Sequence, residues 1–268
     1  MRYFLYIFII IPSSLYILLC IFMYLFQGQL LFFPRAPYLP HYEKISKNPS
    51  LQNIQIHTED GNILDGWMQK GEDKSYTVLY FGGNGDETSY FVEKYNYKYA
   101  NIVSFNYRGY AYSTGKPSEK ALLADALTEY DYLTKTLKMS PEKIIVMGRS
   151  LGTGIATYLA SQRKVQSVIL ITPYDSVESV AQESYFFLPV SLLITNPFRS
   201  YTYAPVQKNR LLCIYWWRDT TIPNHHTENL LAHWNGETKK VFISDATHDN
   251  IYTFPEVESA INEFIPKK

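Results

Sequence analysis

The chain has 268 residues, 46% of them hydrophobic, with 25 Lys and Arg against 25 Asp and Glu. A formal net charge of zero removes the electrostatic case for nucleic acid, so no nucleic-acid partner is expected. The length allows one large domain with a full core beside a targeting segment, and the 24 tyrosines are scattered rather than set in repeats.

From Tyr3 to Phe33 the sequence carries no charged residue. As a helix, Tyr3 to Phe26 would be about 36 Å long at ~1.5 Å per residue, enough to cross a hydrocarbon core of about 30 Å. Pro12-Ser13-Ser14 falls near one end, an interruption that membrane helices tolerate. A cleaved signal peptide is the competing reading. The apolar run is too long for one, and no Ala-x-Ala-like site follows it. Leu19, before Cys20, is too large for a lipoprotein cleavage site. Residues 1–33 therefore read as an uncleaved single-pass anchor, and 34–268 as the globular domain. Arg2 on one side and Arg35, Lys44 and Lys47 on the other leave the membrane face of that domain open. Leu30-Leu31-Phe32-Phe33 would extend the contact along the interface.

After a Pro34-Arg35-Ala36-Pro37 linker, β-type runs begin. Ile54 to Thr58, a turn at Glu59-Asp60-Gly61-Asn62 and Ile63 to Met68 read as a hairpin. Tyr76 to Phe81 and Ile102 to Phe105 are short apolar runs of the kind found in buried parallel strands. Lys143 to Met147, Ser167 to Ile171, Leu211 to Trp217 and Lys239 to Ile243 continue the series. Between them, Ser118 reads as a helix N-cap, with Leu122, Ala126, Tyr130, Leu133 and Leu137 on one apolar face. Strands alternating with helices predict an α/β domain with a mostly parallel sheet. Ser176 to Asn209, after the sixth strand, exceeds an ordinary crossover and carries Pro189, Pro197 and Pro205. It reads as a crossover helix plus a small apolar cap.

Gly148-Arg149-Ser150-Leu151-Gly152 joins the Lys143–Met147 strand to an Ala/Gly-rich helical segment. Strand, Gly-x-Ser-x-Gly and helix is the context of a nucleophile elbow. The glycines let strand and helix approach each other around an exposed serine. The main-chain N–H of Leu151, at the positive end of the helix, is then one donor to a developing oxyanion. Three fixed positions at average Gly and Ser usage recur by chance in about one chain of this length in ten, so partners are needed.

In such sheets catalysts sit at the carboxyl ends of strands. Asp219 follows the Leu211–Trp217 strand and His248 the Lys239–Ile243 strand. The order Ser150, Asp219, His248 is that of a Ser–Asp–His triad on this architecture. His248 would take the proton from Ser150, and Asp219 would fix its tautomer. Asp175, after the preceding strand, is the rival acid. Asp245 and Asp249 read as turn-forming or solvated. His41, His57, His225, His226 and His233 read as structural or surface residues. No metal site is expected at His225-His226 and His233, because no carboxylate pattern accompanies them. Cys20 and Cys213 match no metal spacing and no disulfide. In Gly82-Gly83-Asn84-Gly85-Asp86, after the Tyr76–Phe81 strand, the Asn84 N–H is the expected second oxyanion donor.

Over nearly its whole length the chain resembles the membrane-anchored α/β-hydrolase-domain serine hydrolases, the group that includes the yeast bud-emergence homologues and bacterial relatives. The marks are Leu30 to Pro34, Gly83-Asn84-Gly85, the block Asn106 to Glu119, Gly148 to Gly152, Pro173-Tyr174-Asp175-Ser176, Asp219 with Ile222-Pro223, and His248-Asp249. The resemblance implies an α/β-hydrolase fold and esterase, lipase-like or acyl-thioesterase activity through Ser150, Asp219 and His248. Three positions depart from that pattern. Gly82 replaces a usual His, which should adjust loop support without abolishing activity. Ala111 stands for a usual Gly and should restrict its loop. Trp216 occupies a usual Gly position before Asp219, so the acid's loop is expected to be displaced or shielded.

A membrane-tethered hydrolase of acyl esters or thioesters, with lipid-like substrates favoured, is the leading expectation. A serine peptidase of the aminopeptidase-like type is the alternative, although nothing marks a site for a peptide amino terminus. A catalytically silent membrane-bound interaction module has no need of Ser150, Asp219 and His248 together. No cofactor is implied, since the triad would carry the chemistry itself.

Overall fold

The computed structural model describes residues 6–71 and 74–267. Tyr3, the expected start of the apolar helix, and Arg2 lie outside the described residues. The helical rod Tyr6–Leu31 is long and apolar enough to cross a membrane, with a mean hydropathy of 2.4 over its best window. Its first five residues are wound as a π-turn and the rest, Ile11–Leu31, as an α-helix. Pro12 sits at the start of the α-helical part, directly after the π-turn. Cys20, Met23, Gln27 and Leu31 are half-buried on one side of this helix, while most of its apolar surface is exposed.

Eight strands form one sheet in the order β1-β2-β4-β3-β5-β6-β7-β8. They are β1 Leu51–His57, β2 Ile63–Gln69, β3 Tyr76–Phe81, β4 Ala100–Phe105, β5 Ile144–Arg149, β6 Ser167–Ile171, β7 Arg210–Tyr215 and β8 Thr238–Phe242. β1–β2 and β2–β4 pair antiparallel, and every later pair is parallel. The apolar runs explain this. Leu79 and Phe81 of β3 enter one core cluster and Val78 and Tyr80 the other. In β5, Ile144 and Val146 divide from Ile145 and Met147 in the same way. Strands apolar on both faces need a helical layer on each side, which is the arrangement of a parallel sheet.

The sequence-expected strands all form. β7 stops at Tyr215, two residues earlier than its apolar run, because Trp217 turns out to 70% exposure. Ser118 caps its helix, Glu119–Asp131, by accepting a bond from the Ala121 N–H at 3.2 Å. Helices Leu39–Ile45 and Thr88–Lys94 form in addition to the expected elements. Residues 176–209 form a cap helix, Val177–Ser184, a short turn of helix, Val190–Leu193, and two 3-10 turns. The short helix Val190–Leu193 packs beside the N-terminal helix Ile11–Leu31.

Candidate active site

Ser150 lies between β5 and the following helix, Leu151–Gln162, with φ 49° and ψ −120°. An L-residue at positive φ is strained, and close packing holds it there. A Cβ on Gly148 would come within 2.4 Å of the Gly152 carbonyl oxygen, and one on Gly152 within 2.1 Å of the Phe81 carbonyl oxygen. The Ser150 N–H is anchored to the Ile171 carbonyl at 2.9 Å. The side chain therefore projects from the carboxyl edge of the sheet.

β7 and β8 deliver the other two groups. His248 Nε2 lies 2.9 Å from Ser150 Oγ, and His248 Nδ1 lies 2.7 Å from Asp219 Oδ2. Asp219 Oδ1 accepts the N–H groups of Thr221 and Ile222, both at 2.9 Å. Each Asp219 oxygen is thus engaged, and the carboxylate is aimed at the imidazole. A proton on Nδ1 leaves the Nε2 lone pair facing the serine hydroxyl, the arrangement needed for general-base attack. Asp219 and His248 are both buried.

The rival acid is elsewhere. Asp175 Oδ1 sits 2.9 Å from His226 Nδ1, and its other oxygen accepts from Asn229 Nδ2 at 2.6 Å. Burial pulls the His226 pKa down, but the Asp175 and Glu183 carboxylates outweigh it and hold the imidazole above its usual range. Asp175 thus closes a buried ion pair between the end of β6 and the helix Asn224–Ala232.

Trp216 does not displace the acid's loop. Its indole N–H donates to the Ser244 carbonyl at 3.1 Å, and Asp219 still reaches His248. Ala111 is held at φ 46°, which explains a preference for glycine there, and its N–H donates to the Arg35 carbonyl at 2.8 Å. A Cβ on Gly82 would approach Asp86 Cβ to 2.8 Å, so a histidine does not fit here without moving Asp86.

The loop after β3 is held by groups to which sequence reasoning gave no role. Asp86 accepts the Gly83 N–H at 2.7 Å and pairs with Arg149, the residue before Ser150, at 2.6 and 3.1 Å. Burial pushes the Asp86 carboxyl up, but Arg149 with the Gly83 N–H and the Tyr80 hydroxyl outweighs it and keeps the carboxyl below its usual range. The Tyr107 hydroxyl donates to the Gly82 carbonyl and the Tyr110 hydroxyl to the Asn84 carbonyl, each at 2.6 Å. The Gly83 carbonyl accepts the Asp86 N–H at 3.2 Å, which sets the plane of the peptide carrying the Asn84 N–H. Among the described residues no protein acceptor takes the Asn84 or Leu151 N–H. Both tyrosines belong to the Asn106–Glu119 block, which marks the segment in the sequence but not these contacts.

The histidine cluster is also more elaborate than its spacing suggests. Glu183 supplies the carboxylate that the sequence pattern lacked, 2.8 Å from His225 Nε2 and 3.0 Å from His226 Nε2. These three are the described residues able to share a metal ion. His233 stands apart, bonded to the Asn229 carbonyl.

Comparisons with known proteins agree with this architecture. Residues 76–200 match a family model described as alpha/beta hydrolase fold. The chain is 28% identical over 211 residues to the uncharacterised protein Rv2307c of Mycobacterium tuberculosis, covering 77% of this chain and 74% of that one. It is 29% identical over 225 residues to alpha/beta hydrolase domain-containing protein 17C of Xenopus tropicalis, covering 81% and 70%. Among solved structures, the Pyrococcus furiosus esterase Pf2001 superposes with a TM-score of 0.67 at 19% identity, covering 88% of this chain and 97% of that one. The strand order, the elbow between β5 and its helix, and these likenesses together give the chain the α/β-hydrolase fold.

Proposed function

We propose that the chain is a membrane-anchored serine hydrolase that cleaves acyl esters or thioesters through a covalent acyl-enzyme, of the type represented by the bud-emergence homologues. The observation that carries this reading is the hydrogen-bonded run from Ser150 Oγ through the His248 imidazole to the Asp219 carboxylate, at a strained elbow. Ser150 Oγ attacks the acyl carbon as His248 Nε2 takes its proton, and Asp219 stabilises the imidazolium. The N–H groups of Leu151 and Asn84 receive the oxyanion, each such donor being worth about 3–4 kcal/mol in the transition state. His248 then protonates the departing alcohol or thiol. Water, deprotonated by the same imidazole, releases the acid and restores Ser150.

The helix Tyr6–Leu31 supports a bilayer location, and a lipid-like acyl group is the substrate class such a location favours. The ester reading rests on the chain's own residues, since the likeness to the Pyrococcus furiosus esterase carries the fold. Turnover of acyl esters, acyl thioesters and amino-acyl amides by the purified full-length protein tests the proposal. Esters or thioesters should be cleaved faster than amides, and Ser150→Ala should abolish the turnover. Faster cleavage of the amides would replace this reading with a peptidase.

A further inference from the structure

Between the anchor helix and the cap lies an apolar cavity of about 340 Å³, within the usual range of a small-molecule site. Met23, Gln27 and Leu31 form its anchor wall, and Ala181 and Leu188 belong to its cap wall. Two of its lining residues are hydrogen-bonded to residues of the site. Leu31 lines the cavity, and its carbonyl accepts from the Asn84 side chain at 3.0 Å. Thr221 also lines it, and its N–H is bonded to Asp219.

The two walls are fixed to each other. Gln27 donates to the Leu193 carbonyl at 2.9 Å and accepts the Thr195 N–H at 2.7 Å. Nearer the amino terminus, the Tyr16 hydroxyl donates to the Phe187 carbonyl at 2.8 Å. That contact sets a depth. The described helix begins at Tyr6, and Tyr6 to Tyr16 is 11 residues, short of the roughly 20 that a span requires. A span beginning at Tyr6 therefore runs past Tyr16 to about Leu25 and carries the cap tip into the apolar layer with it. The tip has the surface for this: Phe186 is 80% and Leu192 83% exposed.

We propose that this cavity is the acyl-chain site and that it fills laterally from the bilayer. The proposal rests on the hydrolase reading above and deepens it. The acyl chain of a bilayer-resident ester or thioester enters beside Phe186 and Phe187. It lies along the anchor helix from Met23 to Leu31 and presents its carbonyl carbon to Ser150. Met23 to Leu31 covers about 12 Å of helix axis at ~1.5 Å per residue, the reach of a medium-length acyl chain. The anchor is thus a wall of the substrate site as well as a tether.

The test uses the full-length protein in nanodiscs and a decyl-length alkyl fluorophosphonate bearing a terminal diazirine. After the probe reacts with Ser150, irradiation should cross-link its tail to peptides from the anchor helix and the cap. Labelling of Ser150 with cross-links confined to other peptides, or with none above the unirradiated control, overturns the acyl site while leaving the hydrolase reading intact. Failure of the folded wild type to take any adduct overturns both. Independently, Ala181→Phe, which fills existing space, should lower the decanoyl-to-acetyl ratio of kcat/KM by about tenfold or more, the scale set by excluding methylenes from an apolar pocket. An unchanged ratio overturns the proposal.

Discussion

The Tyr110 hydroxyl donates to the Asn84 carbonyl at 2.6 Å and accepts the Phe33 N–H at 2.9 Å. Phe33, just past the helix Ile11–Leu31, also donates to that carbonyl at 3.0 Å. One tyrosine thus joins the end of the apolar N-terminal helix to the loop expected to bind the oxyanion. It acts through Asn84 rather than on substrate, as a positioning residue. Tyr110→Phe should lower kcat about tenfold with little change in KM for a short ester, less than the 10²–10³ lost when a donor itself is removed. Steady-state kinetics separates the outcomes: an equal change in KM would point to general loosening of the fold.

The two aspartates should separate cleanly. Asp219→Asn removes the carboxylate from His248 and should reduce kcat by about 10⁴-fold with the fold intact. Asp175→Asn should leave kcat near wild type. It strips His226 of a buried partner and should cost about 3 kcal/mol of stability. Kinetics and urea denaturation of both variants check this. Loss of activity in the Asp175 variant at full stability would reverse the assignment.

Ala111 is a point of local backbone strain, with φ 46°. Left-handed backbone costs an L-residue about 1–2 kcal/mol, and glycine gives back part of that gain through a more flexible unfolded chain. Ala111→Gly should therefore stabilise the protein by about 0.5–1 kcal/mol, visible as a higher denaturation midpoint. A lower midpoint would mean that the φ of 46° is not strained here.

Glu129 supplies a pH dependence. Burial, helped by nearby Asp125, raises its pKa well above the usual carboxyl value, and Oε2 has no hydrogen-bond partner. Its folded form holds the proton more tightly than the unfolded form. Stability should fall as pH rises above the unfolded value of about 4.3, and go on falling until the folded pKa is passed. Glu129→Gln should remove that slope and make the protein more stable than wild type at pH 7. Denaturant midpoints from pH 4 to pH 8 measure both effects.

The legible parts of the sequence were those where one physical signal acts alone. β3 and β5 are continuous apolar runs, and a doubly covered strand leaves little else for such a run to be. The Gly-x-Ser-x-Gly motif was legible because Gly148 and Gly152 face backbone at 2.4 and 2.1 Å, a constraint no other residue type meets. The helix Leu39–Ile45 was hidden by the prolines around it, although Pro40 only occupies its first turn. Asp219, rather than Asp175, comes within reach of His248 because of the sheet: β7 is the neighbour of β8, which leads to His248, while β6 lies one strand further away. The roles of Tyr107, Tyr110 and Arg149 depend on contacts across 25, 26 and 63 residues of chain, which no local pattern encodes. Glu183 escaped notice for the same reason, being 43 residues from His226.

Whether Ser150 is the nucleophile is decided by intact-mass and peptide mass spectrometry of the folded full-length protein after treatment with a fluorophosphonate. A single phosphonyl adduct should form on Ser150, absent from Ser150→Ala and much slower to form in Asp219→Asn. A folded protein that takes no adduct, or a Ser150→Ala variant labelled as fast as wild type, would contradict that role.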